Sequence, residues 1–334
     1  MIDLSTKYMG LSLSSPLVAS SSPLCDNVEN IKRMEDAGAG AVVLQSLFEE
    51  QVVFEQQQLD TYLLKGTEQF AESLTYLPDY DTYHFTTTNY LEHIRKCKSS
   101  VNIPIIASLN GITRSGWIRY ARDIQDAGAD ALELNIFFLP EDPRMSSEEV
   151  EANYAGLVQD IIKSVNIPVA VKLNPYLSAI PYMLNRFEKV GASAVVLFNR
   201  FYQPDIDLNT LELVPKLKLS TSDELGLRIR WTGLVYNKIS IDIAITGGVH
   251  TATDSLKSIA AGASVAMMTS ALLKKGIEHL NTVNNSIASW LEENKYDSIR
   301  SFKGTMSRAS AGQTDAYVRA NYMKILRSYS PGQE

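Results

Sequence analysis

The stretch DAGAGAVVL, residues 36–44, closes an amphipathic run with a glycine and passes directly into a continuous apolar segment. The same phrase returns as DAGADALEL (126–134), VGASAVVLF (190–198) and AGASVAMM (261–268). A glycine just past a helix supplies the left-handed cap that residues with a Cβ resist. A short unbroken apolar run after it reads as a strand buried on both faces. Each phrase is therefore a helix end, a turn and a buried strand. A second repeat has the same sense, because VNIPIIASL (101–109) and VNIPVAVKL (165–173) use proline to stop one element and open the next.

Working outward from these phrases, eight strand candidates emerge, at residues 16–21, 41–46, 104–109, 131–137, 168–173, 194–199, 242–247 and 264–269. Helical patterns separate most of them, among them NVENIKRMEDAG, GWIRYARDIQDAG, SEEVEANYAGLVQDIIKSV and ATDSLKSIAAG. Strands that alternate with helices pair in parallel, and eight of them specify an α/β chain folded as a single (β/α)8 TIM barrel over residues 1–334. Two insertions break the regularity, about 47–88 after the second strand and about 201–240 after the sixth. Both leave strand C-termini, the rim where such barrels carry their active sites. They read as lids or substrate loops, with surface decoration as the alternative. Within the second, LELV and LRIRW are expected to pair as a small hairpin over the rim.

The bulk composition narrows the function classes. With 334 residues, 45% hydrophobic and 21% charged, and a net charge of −7, the chain offers no basic footprint for nucleic acid. A small-molecule substrate is expected instead. The only cysteines, Cys25 and Cys97, form no CxxC or metal-ligand spacing, so neither a disulfide framework nor a metal site is expected. That usage suits a reducing cytoplasm. The start, MIDLSTKYMGLSLSSP, has no signal-peptide pattern, and no run of 18 apolar residues occurs, so no membrane association is expected.

Polar residues at strand ends face the site of such a barrel and are otherwise costly to bury. The ends here carry VASSS (18–22), Gln45 and Ser46, Asn110, Asn135, Lys172, Asn199, Gly247 and Gly248, and Thr269 and Ser270. Lys172 stands inside an apolar strand pattern. Such a lysine either snorkels, is ion-paired, or faces a ligand, and its place at a barrel mouth favours an anionic ligand or a reduced flavin ring. The paired glycines after strand seven let backbone amides approach a ligand, and a helix opens after strand eight. Together these loops have the form of a phosphate site.

The phrases SPLVASS (15–21), IASLNG (106–111), LELN (132–135), VKLNP (171–175), ITGGV (245–249) and MTSALL (268–273) resemble, in order and spacing, those of the dihydroorotate dehydrogenase family, FMN-dependent barrel enzymes of pyrimidine synthesis. The resemblance runs along nearly the whole chain. It implies FMN held near Ala19 and Ser20 and by Ser46, Asn110, Asn135, Lys172 and Asn199, with further contacts from Gly233 in WTGL, Gly247, Gly248, Thr269 and Ser270. Lys172, Asn135 and Asn199 would be the catalytic-site residues. A cytoplasmic homodimer passing electrons to an unidentified acceptor is also implied.

The chain departs from the family at the substrate end. Family members follow the asparagine of LELN with a Cys or Ser that removes the substrate proton; Phe137 and Phe138 stand there instead. The family lysine at the end of strand two is Gln45, and Pro140 replaces an asparagine. Glu141 and Asp142 are candidate substitute bases, or simply solvated loop acids; His84, His250 and Cys25 are further candidates with ordinary structural readings. The functional readings are an FMN oxidoreductase acting on dihydroorotate, one acting on another small ring that packs against the phenylalanines, or a flavin-holding partner without turnover. A non-redox sugar-phosphate barrel fits the set of phrases less well.

Overall fold

The computed structural model describes residues 2–50, 52, 87–111, 113–136, 138–200, 203–214 and 217–312, with 317, 322 and 327. Its centre is a closed barrel of eight parallel strands: β1 (Leu17–Ala19), β2 (Ala41–Phe48), β3 (Ile105–Asn110), β4 (Ala131–Asn135), β5 (Val169–Leu173), β6 (Ala194–Leu197), β7 (Asp242–Thr246) and β8 (Val265–Met268). A helix follows each strand: α1 (Val28–Asp36), α2 (Thr87–Ser100), α3 (Arg114–Asp126), α4 (Ser147–Ser164), α5 (Ile180–Lys189), α6 (Leu225–Val235), α7 (Ala252–Ala261) and α8 (Ser270–Lys275). Closure is direct, since Val18 of β1 lies opposite Met267 of β8 on one side and Ala41 of β2 on the other. The expected (β/α)8 barrel is what the chain forms.

Strand alternation sorts the side chains into two packed layers. One set, including Leu17, Val42, Leu44, Ala107, Leu132, Leu134 and Val195, packs outward against the helices. The other, Val18, Ala41, Val43, Ile106, Ala131, Ala170, Ala194, Val196, Ala244, Val265 and Met267, fills the barrel. The five alanines leave the lower barrel roomy. A short antiparallel hairpin, Thr6–Tyr8 with Leu11–Leu13, occupies that room by inserting Tyr8, Met9 and Leu13 as a floor. Thr6 Oγ1 donates to Ser264 O at 3.1 Å, and Asp242 accepts from Met9 N at 2.9 Å. The interior is thus closed below and open at the C-terminal ends of the strands.

The hairpin expected over the rim exists with a different partner. Glu212–Val214 of LELV pairs with Asp205–Asp207, whereas LRIRW lies in α6. Its alternation imitates a strand, but Leu225, Arg228, Thr232 and Val235 are buried at helical spacing. Most of the first insertion, with His84, lies outside the described residues, as does Phe137. Among the described residues no helix is long and apolar enough to cross a membrane, and no cluster of His, Cys, Asp or Glu could hold a metal ion.

Candidate active site

The inward positions above the alanine layer are polar, and they converge on the open end. In β3 and β4, Ser108 lies beside Glu133, and Asn135 of β4 lies beside Lys172 of β5. Lys172 is 8% exposed and its Nζ donates to Glu133 Oε1 at 3.1 Å, with Glu133 only 1% exposed. At the tips, Asn199 Nδ2 donates to Asn135 Oδ1 at 2.6 Å, joining the ends of β4 and β6 on either side of β5. Ser46 and Ser108 hydroxyls meet at 2.7 Å, and Asn110 is buried at the end of β3. Ala19 is buried at the end of β1, and the amide of Ser20 donates to Met268 O at 3.0 Å.

Opposite this group, the turn after β7 places Gly247 at φ +81° and Gly248 at φ +91°, a left-handed pair that β-carbons would strain. A Cβ on Gly248 would also stand 2.7 Å from Leu225 N. Thr269 and Ser270 follow β8, and Ser270 Oγ accepts from Ser220 N at 3.1 Å. Behind the glycines stands Arg228, a residue the sequence reading missed. Its Nε donates to Thr246 O at 3.1 Å, its Nη1 donates to Glu224 O at 2.8 Å, and Nη2 lies 2.9 Å from where a Gly247 Cβ would be. Burial pulls the guanidinium below its ordinary pKa. Its charge therefore lies directly beneath a turn shaped for close backbone approach.

Gly233 is not part of this group. It sits near the C-terminal end of α6, two turns from the rim, where its carbonyl accepts from Arg308 N and a Cβ would meet the Tyr317 ring at 2.4 Å.

The candidate bases divide clearly. Asp142 is gripped by Arg144 through Nε at 2.9 Å and Nη2 at 2.8 Å, which holds its carboxyl below the usual range. That is the wrong direction for accepting a proton near neutrality. Glu141 is exposed. Phe138 is 41% exposed and packs edge-on against Tyr154 with ring centroids 6.5 Å apart, while Tyr154 Oη donates to its carbonyl at 3.3 Å. Cys25 is buried, and burial pushes its thiol up to about 12, which removes it as a nucleophile. His250 Nε2 lies 3.0 Å from Ser220 Oγ; burial and then Lys274 hold its pKa below the ordinary histidine value.

Gln45, where the resembled family carries lysine, has a local partner instead. With its amide oriented to donate, it reaches Asp26 Oδ1 at 2.7 Å and Oδ2 at 2.5 Å. Half-burial pushes the Asp26 carboxyl up to about 6, and the two amide donors oppose that shift. Because the folded value exceeds the 3.8 of a free carboxyl, the retained proton stabilises the fold fully below about pH 4, and this contribution is lost as pH rises towards 6. Asp26→Asn is accordingly expected to gain about 1 kcal/mol on the wild type between pH 4 and pH 7, the half-exposed setting having been discounted. Thermal melts of both proteins across that range measure it; parallel curves would disprove it.

A family model described as dihydroorotate dehydrogenase matches residues 84–291, more than half of the chain. Among curated proteins, the dihydroorotate dehydrogenase B (NAD(+)) catalytic subunit of Thermoplasma acidophilum is 27% identical over 318 residues, covering 92% of this chain and 100% of its own length. The counterpart in Thermoplasma volcanium is 26% identical and covers 91% of this chain and 98% of its own. The NAD-dependent dihydropyrimidine dehydrogenase subunit PreA of Escherichia coli is 24% identical over 329 residues, covering 90% of this chain and 76% of its own.

Proposed function

Given that the chain belongs to the dihydroorotate dehydrogenase family, we propose that it is an FMN-dependent oxidoreductase acting on a CH–CH bond of a small ring. The observation that carries this reading is the pairing, across one barrel mouth, of a buried lysine beside two bridged asparagines with a positive-φ glycine turn backed by Arg228. The donor set fits a flavin mononucleotide: Lys172, Asn135, Asn199 and Ser46 would face the ring, and Gly247, Gly248, Thr269 and Ser270 the phosphate. Bound FMN would supply a hydride acceptor at its N5 atom. The chain's own residues would hold the ring (Asn135, Asn199), present a cation to it (Lys172), and fix the phosphate over the closed barrel. Cytoplasmic location, a homodimeric state and a separate electron acceptor rest on the family resemblance.

The purified protein is expected to be yellow and to release FMN on denaturation, identified by chromatography. Colourless protein that cannot be reconstituted with FMN would overturn the reading.

A second substrate reading has its own support. Among the described residues, three cations near the mouth have partners within the chain, Lys172 with Glu133, Arg200 with Glu224 and the Lys218 carbonyl, and Arg228 with two carbonyls. Asp26 also adds an acid beside Gln45. A neutral ring such as a dihydropyrimidine, the substrate named for one relative, fits this inventory better than dihydroorotate. Stopped-flow reduction of the bound flavin by each compound separates the two. Yellow protein that reacts with neither points to a flavin-holding partner without turnover.

A further inference from the structure

The least exposed charged residue inside the barrel is not one the flavin reading uses. Glu133 lies on β4, one inward position below Asn135. One oxygen meets Lys172 at 3.1 Å; the other, Oε2, is buried with no hydrogen-bond partner. The floor supplies nothing to balance it. Tyr8, the polar side chain that rises from the hairpin, is fully buried, and its own hydroxyl has no partner. Burial first, then the charges of Glu133 and Asp242, push Tyr8 well above its ordinary pKa, so it stays neutral.

We propose that Glu133 is a positioning residue that sets the net charge Lys172 presents to the ring bound at the barrel mouth. The inference rests on the FMN reading of the same site. Its physical basis is that two opposite charges 3.1 Å apart and sealed from water act on a third group as a pair rather than as a cation. The carboxylate sits deeper than the ammonium, so a cationic excess remains at the mouth, but a reduced one. A lysine without this partner would favour an anionic reduced ring more strongly. The pair therefore moderates the midpoint potential while its hydrogen bond fixes the position of the ammonium.

The test is the two-electron midpoint potential of bound flavin in four holoproteins: wild type, Glu133→Gln, Lys172→Met and the double variant. Glu133→Gln should favour the reduced flavin by about tenfold, which is about 30 mV for a two-electron couple. Lys172→Met should move the equilibrium the other way, and adding Glu133→Gln to it should recover a large part of that loss. The neutral double variant carries no unpaired buried charge, so it keeps the comparison with wild type available if a single variant fails to fold. In that comparison its potential should fall by less than the loss of a lone cation requires, about tenfold in the equilibrium. Potentials unaffected by Glu133→Gln, alone and beside Lys172→Met, overturn the inference while leaving the flavin reading intact. A wild type without flavin overturns both.

Discussion

Dihydroorotate should reduce the bound flavin at least about a hundredfold more slowly than in family members that keep the Cys or Ser base. General-base catalysis contributes about 10²–10⁴-fold, and a phenyl ring has no lone pair to take the proton. Of the nearby acids, Asp142 is paired with Arg144 and held low, and Glu141 is exposed. Phe138→Cys is the direct probe. Phe138 is 41% exposed and, among the described residues, packs on Tyr154 alone of the aromatic rings, so the exchange should leave the fold in place. The variant should speed flavin reduction by dihydroorotate in stopped flow if the pocket admits that ring. Ordinary rates in the unmodified protein would refute the missing-base argument and direct mutagenesis to Glu141.

Gly248→Val should cost about 2–6 kcal/mol of stability and most of the flavin affinity. Two effects add. A branched side chain at φ +91° is strained by about 1–3 kcal/mol, and its Cβ would stand 2.7 Å from Leu225 N, an overpacking that costs about 1–3 kcal/mol more. Leu225 begins α6, the helix that carries Arg228, so relief of the clash must move the guanidinium away from the turn. The same exchange at Gly128, which also has positive φ but meets nothing within 4 Å, should show the strain alone and retain flavin. Melting curves and flavin release on dilution measure both variants; equal flavin retention in the two would refute the site assignment.

The barrel was legible because its signal is redundant: glycine caps and two-sided apolar strands repeat around the ring, and each repeat reports the same geometry. The polar strand tips were legible for a related reason, since Lys172 and the asparagines interrupt apolar runs where burial makes polarity expensive. Glu133 was hidden by the same logic applied too coarsely, because one acid in LEL reads as a lapse in a buried strand. Arg228 was hidden by LRIRW, whose alternation suits a strand until helical burial is seen. Asp26 and Gln45 are separated by a helix in the chain, and their contact appears only when β1 and β2 are side by side. Gly233 stands in a matching phrase, and what the structure shows around it is close packing of its helix against Tyr317.

The floor hairpin and the β1–β8 seam also bear on how the chain matures. Val18 finds Met267, and Thr6 finds Ser264, across some of the longest sequence separations in the molecule. Non-local parallel pairing is slow because the intervening chain must be gathered before the contact rewards it. On a ribosome, the first strands emerge long before their neighbours in β8 exist, leaving one strand edge and the apolar faces of Tyr8 and Leu13 without cover for the duration of synthesis. The barrel can seal only when the last strand arrives, so the cover of its earliest strands waits on the final part of the chain.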